Sequence, residues 1–335
     1  MFKHEIDTAL DLDEPVRKND SLRDYQYYSY DAVQPNQTGR IELRVQDTSR
    51  YFLPAEAFIK VEGQLIKADN TGYGIGERVC FVNNGIMALF SSATYMMDGK
   101  HIESCLENVD IATTILGLAR YSDDYSRSAG PSMMITKDTS DHPENRNVTM
   151  NVAGTEIASM NENFNLGFAA RRSMLNGDEM FSCSIPLSHI FGFCRDVRKV
   201  IFGAKHTIVL VRKESDNDAI WRVNAVASGK VVITKLSLWM PVMVPSITEE
   251  NKLLSFMNQG GKSLLSWKTM TTDIIQGNVA GLFAWHISAQ QDVSAPRDIF
   301  IAFQGNIRVN NQERNPMVFD TLAVTEVSLK INGHQ

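Results

Sequence analysis

The stretch QGGKSLL (259–265) carries Gly-Lys-Ser, the residues with which a P-loop holds phosphate groups. A P-loop also needs a glycine five residues before Gly261, and Phe256 stands there. The order around it, a helix before and a strand after, is reversed from a P-loop. GYGIGE (72–77) has the glycines of a nucleotide loop, but its spacing is not GxGxxG and it lies between two strands. It reads as a flexible hairpin loop. The seven histidines, at 4, 101, 142, 189, 206, 286 and 334, form no HxxxH or HExxH pair, so zinc has no sequence support. His206 and His286 fall in candidate strands, and His189 reads as a helix-turn residue under the next loop. GPSMM (130–134) lacks the second glycine of a nucleophile elbow. The acidic clusters DLDEP (11–15) and YSDDYS (121–126) lack the spacing and central glycine of a calcium loop and read as solvated loops. No catalytic, cofactor-binding or metal-ligating residue is expected.

Bulk composition narrows the classes further. The chain has 335 residues, 43% of them hydrophobic, and a formal net charge of -6. There is ample material for a core, and no basic field of the kind a dedicated nucleic-acid binder presents. Cys80, Cys105, Cys183 and Cys194 form no CxxC pair and read as free, mostly buried thiols in a reducing compartment. The opening MFKHEIDTALDLDEP is polar and acidic, which is not the pattern of a signal peptide. The sequons at Asn36 and Asn147 are therefore read as chance. The most apolar run, LSLWMPVMV (236–244), falls well short of the roughly 20 residues a membrane span needs. Fifteen methionines suit core filling or a large adaptable interface.

The elements that would position these residues are mostly strands. Residues 1–35 read as an N-terminal arm, charged at first and then rich in tyrosine (YQYYSY, 25–30). From there RIELRVQD alternates Ile41, Leu43 and Val45 against Glu42, Arg44 and Gln46, and FIKVEGQLIK does the same. Further strands are expected at 78–82, 92–97, 146–152, 180–185, 199–202, 206–212, 220–225, 231–240, 281–288 and 322–331. Asn-Gly and Asp-Gly turns at Asn84, Asp98, Asn176 and Asn332 punctuate them. PRDIFIAFQGN (296–306) reads as a strand apolar on both faces, hence covered on both sides. Two capped helices interrupt the strands. Ser104 with Glu107, and Ser246 with Glu249, form capping-box patterns, and the second helix stops at Gly260-Gly261. PLSHIFGF (186–193) reads as a further short helical turn. The fold class is all-β. Two similar halves are expected, 36–178 and 179–335, each of a jelly roll's size with one inserted helix.

Several stretches in order resemble one family. YFLPAEAFIKVEGQLIKAD, VNNGIMALFSSATYMMDGKHIES and a helix resemble the first barrel of double jelly-roll major capsid proteins. The similarity is to those of Polinton (Maverick) and adintovirus-like DNA elements, known also as endogenous copies in invertebrate genomes. IPLSHIFGFCRDVRKVIFGAKHTIVLVRK, GKVVITKLSLWMPVMVPS, PRDIFIAFQ and NPMVFD extend the resemblance over about 25–331. Family members continue past TEVSLKING into an aromatic-rich tail, whereas this sequence stops at His334-Gln335, as a truncated chain or one with a short tail would.

The resemblance implies two consecutive eight-stranded barrels, with DIFIAF covered by a sister barrel, a helix or the next subunit. It implies a homotrimer forming a pseudo-hexameric capsomer in an icosahedral shell around a DNA genome. Neighbouring capsomers and a penton or minor capsid protein would be partners, without specific nucleic-acid binding. The chain would reside in the virion after synthesis in the host cytoplasm or nucleus. Trimer contacts are expected along barrel flanks and in the helices at 105–120 and 248–258, and no enzymatic activity is expected. The alternatives are a lectin- or adhesin-like jelly-roll binding module and a cupin-like enzyme, the latter opposed by the histidine spacing.

Overall fold

The computed structural model describes residues 21–74, 77–105, 108–143, 146–150, 156–160, 165–223, 226–275, 284–285 and 297–328. Two antiparallel sheets face each other across one core. The longest strand, β14 (Gly229–Pro245), organises the first sheet. Along one edge it pairs with β4 (Phe58–Lys67) and then β3 (Tyr51–Phe52). Its other edge carries β1 (Leu22–Asp31). β10 (Met180–Pro186) extends the sheet beyond β4, and β11 (Ile201–Phe202) beyond β3. The second sheet runs β2 (Gly39–Val45), β12 (His206–Arg212), β6 (Phe90–Met97), β7 (Lys100–Cys105). Two small ladders complete the set. They pair β5 (Val79–Phe81) with β13 (Ile220–Arg222), and β8 (Arg146–Met150) with β9 (Glu156–Met160).

Alternation decides which face is buried. Ile41, Leu43 and Val45 of β2 point inward, as do Ile59, Val61 and Leu65 of β4 and Ile208 and Leu210 of β12. β14 changes phase midway. Val231 and Ile233 are buried, then a bulge exposes Thr234 and Lys235, and Leu236, Leu238, Met240 and Val242 are buried instead. One extra residue flips the side-chain parity, so both halves of a long strand serve the same core. Gly63 sits opposite the bulge, where a Cβ would lie 2.4 Å from Val232 O and 2.7 Å from the Phe181 ring. Each fully buried aliphatic or phenyl side chain contributes roughly 1.5–3 kcal/mol.

Most expected strands are present within a residue or two, and the molecule is mainly antiparallel sheet with few, short helices. Four expectations need correction. First, Ser104 lies in β7, paired with Thr94 of β6, and not at a helix start. Helix α2 (Val109–Arg120) begins after Asn108, whose left-handed backbone (φ 61°) turns the chain without a side-chain cap. Second, residues 22–31 of the expected arm form β1, because β14 offers them a free edge. Third, the ladders β4–β10, β4–β14 and β2–β12 join strands from both sides of residue 178, so the expected division at 178/179 falls inside one two-sheet body. Jelly-roll neighbours are distant in sequence, and the residues just before 178 contain β9 and α4 (Leu166–Ser173).

Fourth, residues 297–305 form no strand, and Ile299, Phe300 and Ile301 are 44%, 56% and 46% exposed. A strand needs a ladder partner, and none meets this segment among the described residues. Residues 322–328 likewise form no strand, and the expected strand at 281–288 lies outside the described residues except for 284–285.

The short helices match expectation better. α5 (Leu187–Ile190) and α6 (Gly192–Asp196) fill the PLSHIFGF turn, after α1 (Gly85–Ala88) and α3 (Asp123–Arg127). α7 (Ile247–Asn258) is capped by Ser246, whose hydroxyl accepts the Glu249 N–H. It ends in a Schellman motif: Gly260 (φ 70°) donates to Met257 O, and Gly261 donates to Phe256 O.

Candidate assembly surfaces

Several contacts hold the chain that follows β14 to the two-sheet body, among them Gln312 against Gly229, Glu313 against Arg222, and two further groups. The first is a polar chain starting from Arg171 on α4, which is wholly buried. Its Nε donates to Phe81 O (2.9 Å), its Nη1 to Thr136 O (2.9 Å), and its Nη2 to Asp138 Oδ1 (2.7 Å). Asp138 Oδ2 accepts from Asn315 Nδ2 (3.1 Å). Close by, Arg308 forks onto both Asp141 and Asp320, with four N–H···O contacts of 2.7–2.9 Å. The guanidinium holds the Asp320 carboxyl below the ordinary aspartate range. Met317 is buried beside them, against the Thr114 hydroxyl. Planar, bidentate arginine contacts of this kind fix geometry as well as charge.

The second group forms a strap over α6. Lys268 O accepts from Arg195 (3.0 Å), and Lys268 N–H donates to Asp196 (2.9 Å). Trp267 meets Phe193 edge-on at 5.3 Å. Gly192 allows the approach, since a Cβ there would lie 1.7 Å from Lys268 O. Beneath the strap, the buried Glu103 carboxylate accepts the N–H groups of Gly192 (3.0 Å) and Phe193 (2.8 Å). Burial nonetheless pushes its pKa up, outweighing those two bonds.

The residues whose types could do chemistry are placed apart. His189 is buried, with Nδ1 against the Tyr121 hydroxyl (2.7 Å) and Nε2 against Asn84 Oδ1 (3.2 Å). His206 is buried with Nδ1 against the Tyr95 hydroxyl (2.7 Å). Burial pushes both imidazoles down to about 4. Lys262 and Ser263 lie exposed after the Schellman turn, and Ser263 accepts from Lys199. In the 72–77 loop, Glu77 accepts the Gly74 N–H and pairs with Lys67. Cys80, Cys183 and Cys194 are buried free thiols. Among the described residues, no three His, Cys, Asp or Glu side chains converge as metal ligands. No described helix is long and apolar enough to cross a membrane.

What the surface offers instead is apolar area. On α7, Ile247, Leu254, Phe256 and Met257 are exposed, and no residue of the helix is buried. Beyond it lie exposed Leu264, Ile274, Ile275, Phe300, Leu322 and Val327. The outer face of the six-stranded sheet carries a second patch, where Phe58 stacks on Trp239 (5.9 Å) and packs against Tyr27 (5.5 Å). By contrast, α2 turns Val109, Ala112 and Thr113 inward and leaves Leu118 exposed. Sequence reasoning named α7 but missed Arg171, Asp138, Arg308 and Asn315. Nothing in their local spacing marks them, because their partners lie up to 177 residues away.

Several known structures are similar to this chain at low sequence identity. Among solved structures, the Faustovirus major capsid protein is 9% identical, with a TM-score of 0.45 over 76% of this chain and 60% of that chain. The mavirus major capsid protein is 13% identical, with a TM-score of 0.39 over 70% of this chain and 50% of that one. The Sputnik virophage cryo-EM structure gives 10%, 0.40, 68% and 49%. The chain thus spans from about half to 60% of the length of these chains. No curated protein sequence matches it. A family model described as a double jelly roll-like domain matches residues 138–335, more than half of the sequence. The chain therefore belongs to the double jelly roll-like domain family.

Proposed function

We propose that this chain is a major capsid protein of the Polinton, Maverick and adintovirus-like kind. Three copies associate into a pseudo-hexameric capsomer, and capsomers tile an icosahedral shell around a DNA genome. The observation that carries this reading is the exposed apolar surface on α7 and on residues 264–275, 297–302 and 322–327. An apolar helix face left without a partner among the described residues marks an interaction surface. Membership of the double jelly roll-like domain family supports it. The trimer closes by heterologous contacts, in which each copy presents α7 to a different surface of the next. Neighbouring capsomers and a penton or minor capsid protein complete the shell, and the chain resides in the virion. Light scattering followed by negative-stain microscopy tests this. A mass near three times 37.5 kDa, or hollow shells, supports the reading. A strict monomer at high concentration, without assembly across salt and pH, overturns it.

A further inference from the structure

Among the described residues, β1 is an open edge of the six-stranded sheet, and it differs from the other edges of the two main sheets. β2 carries Arg40, Glu42 and Arg44, and β7 carries Lys100, His101 and Glu103. β11 has two residues, while β10 ends in Pro186 and is flanked by the turn at 130–133. Charge, shortness, proline and cover are the devices that keep sheet edges from pairing. β1 has ten residues, and its centre, YQYYSY, carries no charge and no proline.

The ladder to β14 shows which backbone groups are free. Tyr30 faces Leu238 and Tyr28 faces Met240, and in the same register Ala32 N–H donates to Leu236 O (2.9 Å). Even-numbered residues therefore turn their N–H and C=O toward β14, and odd-numbered residues turn theirs outward. Tyr25 N–H accordingly meets the Asp24 side chain instead of a strand (2.8 Å). Among the described residues, no backbone partner meets the outward groups of Tyr25, Tyr27 and Ser29.

We propose that β1 pairs antiparallel with β1 of a second copy about a two-fold axis at Tyr27, joining two six-stranded sheets into one. In this register Tyr27 faces Tyr27, Tyr25 faces Ser29, and Arg23 faces Asp31 at both ends. Every outward hydrogen-bonding residue meets another. A shift by one residue sets outward groups against inward ones. A shift by two leaves Arg23 opposite Ser29 or Val33, with no acidic partner. Charge complementarity and backbone parity thus select the same register. Arg23 is exposed at the bulge between Leu22 and Asp24, and Asp31 has a half-exposed pair with Lys235 at 3.6 Å, so both can engage a partner. The contact is isologous and closes on itself. It also extends the Tyr27–Phe58–Trp239 patch across the axis. The pairing does not depend on three-fold association. Where both hold, it ties one trimer to the next.

Sedimentation velocity on the full chain tests it, with circular dichroism to verify folding. Tyr27→Pro removes an outward N–H and no bond to β14, a place where an edge strand tolerates proline. It should weaken pairwise association about tenfold or more, because each dimer loses two hydrogen bonds. Arg23→Asp should weaken it by placing like charges opposite each other, and Arg23→Asp with Asp31→Arg should restore it. Association unchanged by Tyr27→Pro in a folded protein, no recovery in the swapped variant, or a wild-type chain that never pairs overturns the proposal. Trimers that persist in Tyr27→Pro, where the wild type forms six-copy species, separate this contact from the three-fold one.

Discussion

Arg171 Nη2 lies 2.7 Å from Asp138 Oδ1, with the guanidinium wholly buried and the carboxylate nearly so. The pair stands between the two-sheet body and the segment 303–320, because Asp138 passes its other oxygen to Asn315. Replacing Arg171 by alanine would strand the Phe81 and Thr136 carbonyls and a nearly buried carboxylate. Breaking one side of a buried pair costs about 3–5 kcal/mol. Urea unfolding of Arg171→Ala should show a loss of that size, and a loss under about 1 kcal/mol would contradict the role.

Arg308 acts further out and should be felt locally. Arg308→Ala frees Asp141 and Asp320, so residues 303–320 should exchange amide hydrogens faster while β12 and β14 keep their protection. The same clasp should respond to acid. The Asp320 carboxyl is depressed by Arg308, so its contribution is present in full above the ordinary aspartate value and is lost as pH falls through the folded value. Exchange of 303–320 measured from neutral pH to below the aspartate range should rise at the acid end, and Arg308→Ala should remove that dependence.

The strap depends on a missing side chain. Gly192→Ala places a methyl group where Lys268 O now sits, so the strap must lift from α6. The indole of Trp267 would leave the Phe193 ring for water. Its fluorescence, read against Trp267→Phe, should shift to the red, and an unshifted spectrum would mean that the strap does not need the glycine.

Two buried histidines predict a second pH dependence. Burial pushes His189 and His206 down to about 4, so the unfolded chain binds their protons first as pH falls. Their contribution to stability is complete above the unfolded value near 6.5 and declines between there and about 4, then flattens. The melting temperature should fall across that window. In a folded His189→Gln/His206→Gln variant the fall should be shallower. An equal slope in both proteins would remove the histidines from the account.

How much of this was legible beforehand can be argued from particular residues. Alternation marked β2, β4 and β12 because one face of each meets a core, and that is a local pattern with a period of two. Ser246 with Gly260-Gly261 marked α7, since both helix ends are satisfied by neighbours in sequence. The same capping logic failed at Ser104, where β6 offered a ladder that outweighed a side-chain cap. DIFIAF shows the opposite failure, a strand-forming composition that meets no partner edge among the described residues.

The sequence by itself determined the all-β class, the positions of most strands, the capped α7 and the family resemblance, because each rests on local pattern or on ordered short motifs. Only the tertiary structure decided that strands on both sides of residue 178 share two sheets, that residues 22–31 form an edge, and that Arg171 and Arg308 hold the distal segment. Those outcomes depend on ladders and hydrogen bonds between residues tens to hundreds of positions apart, and local periodicity carries no record of partners at that distance.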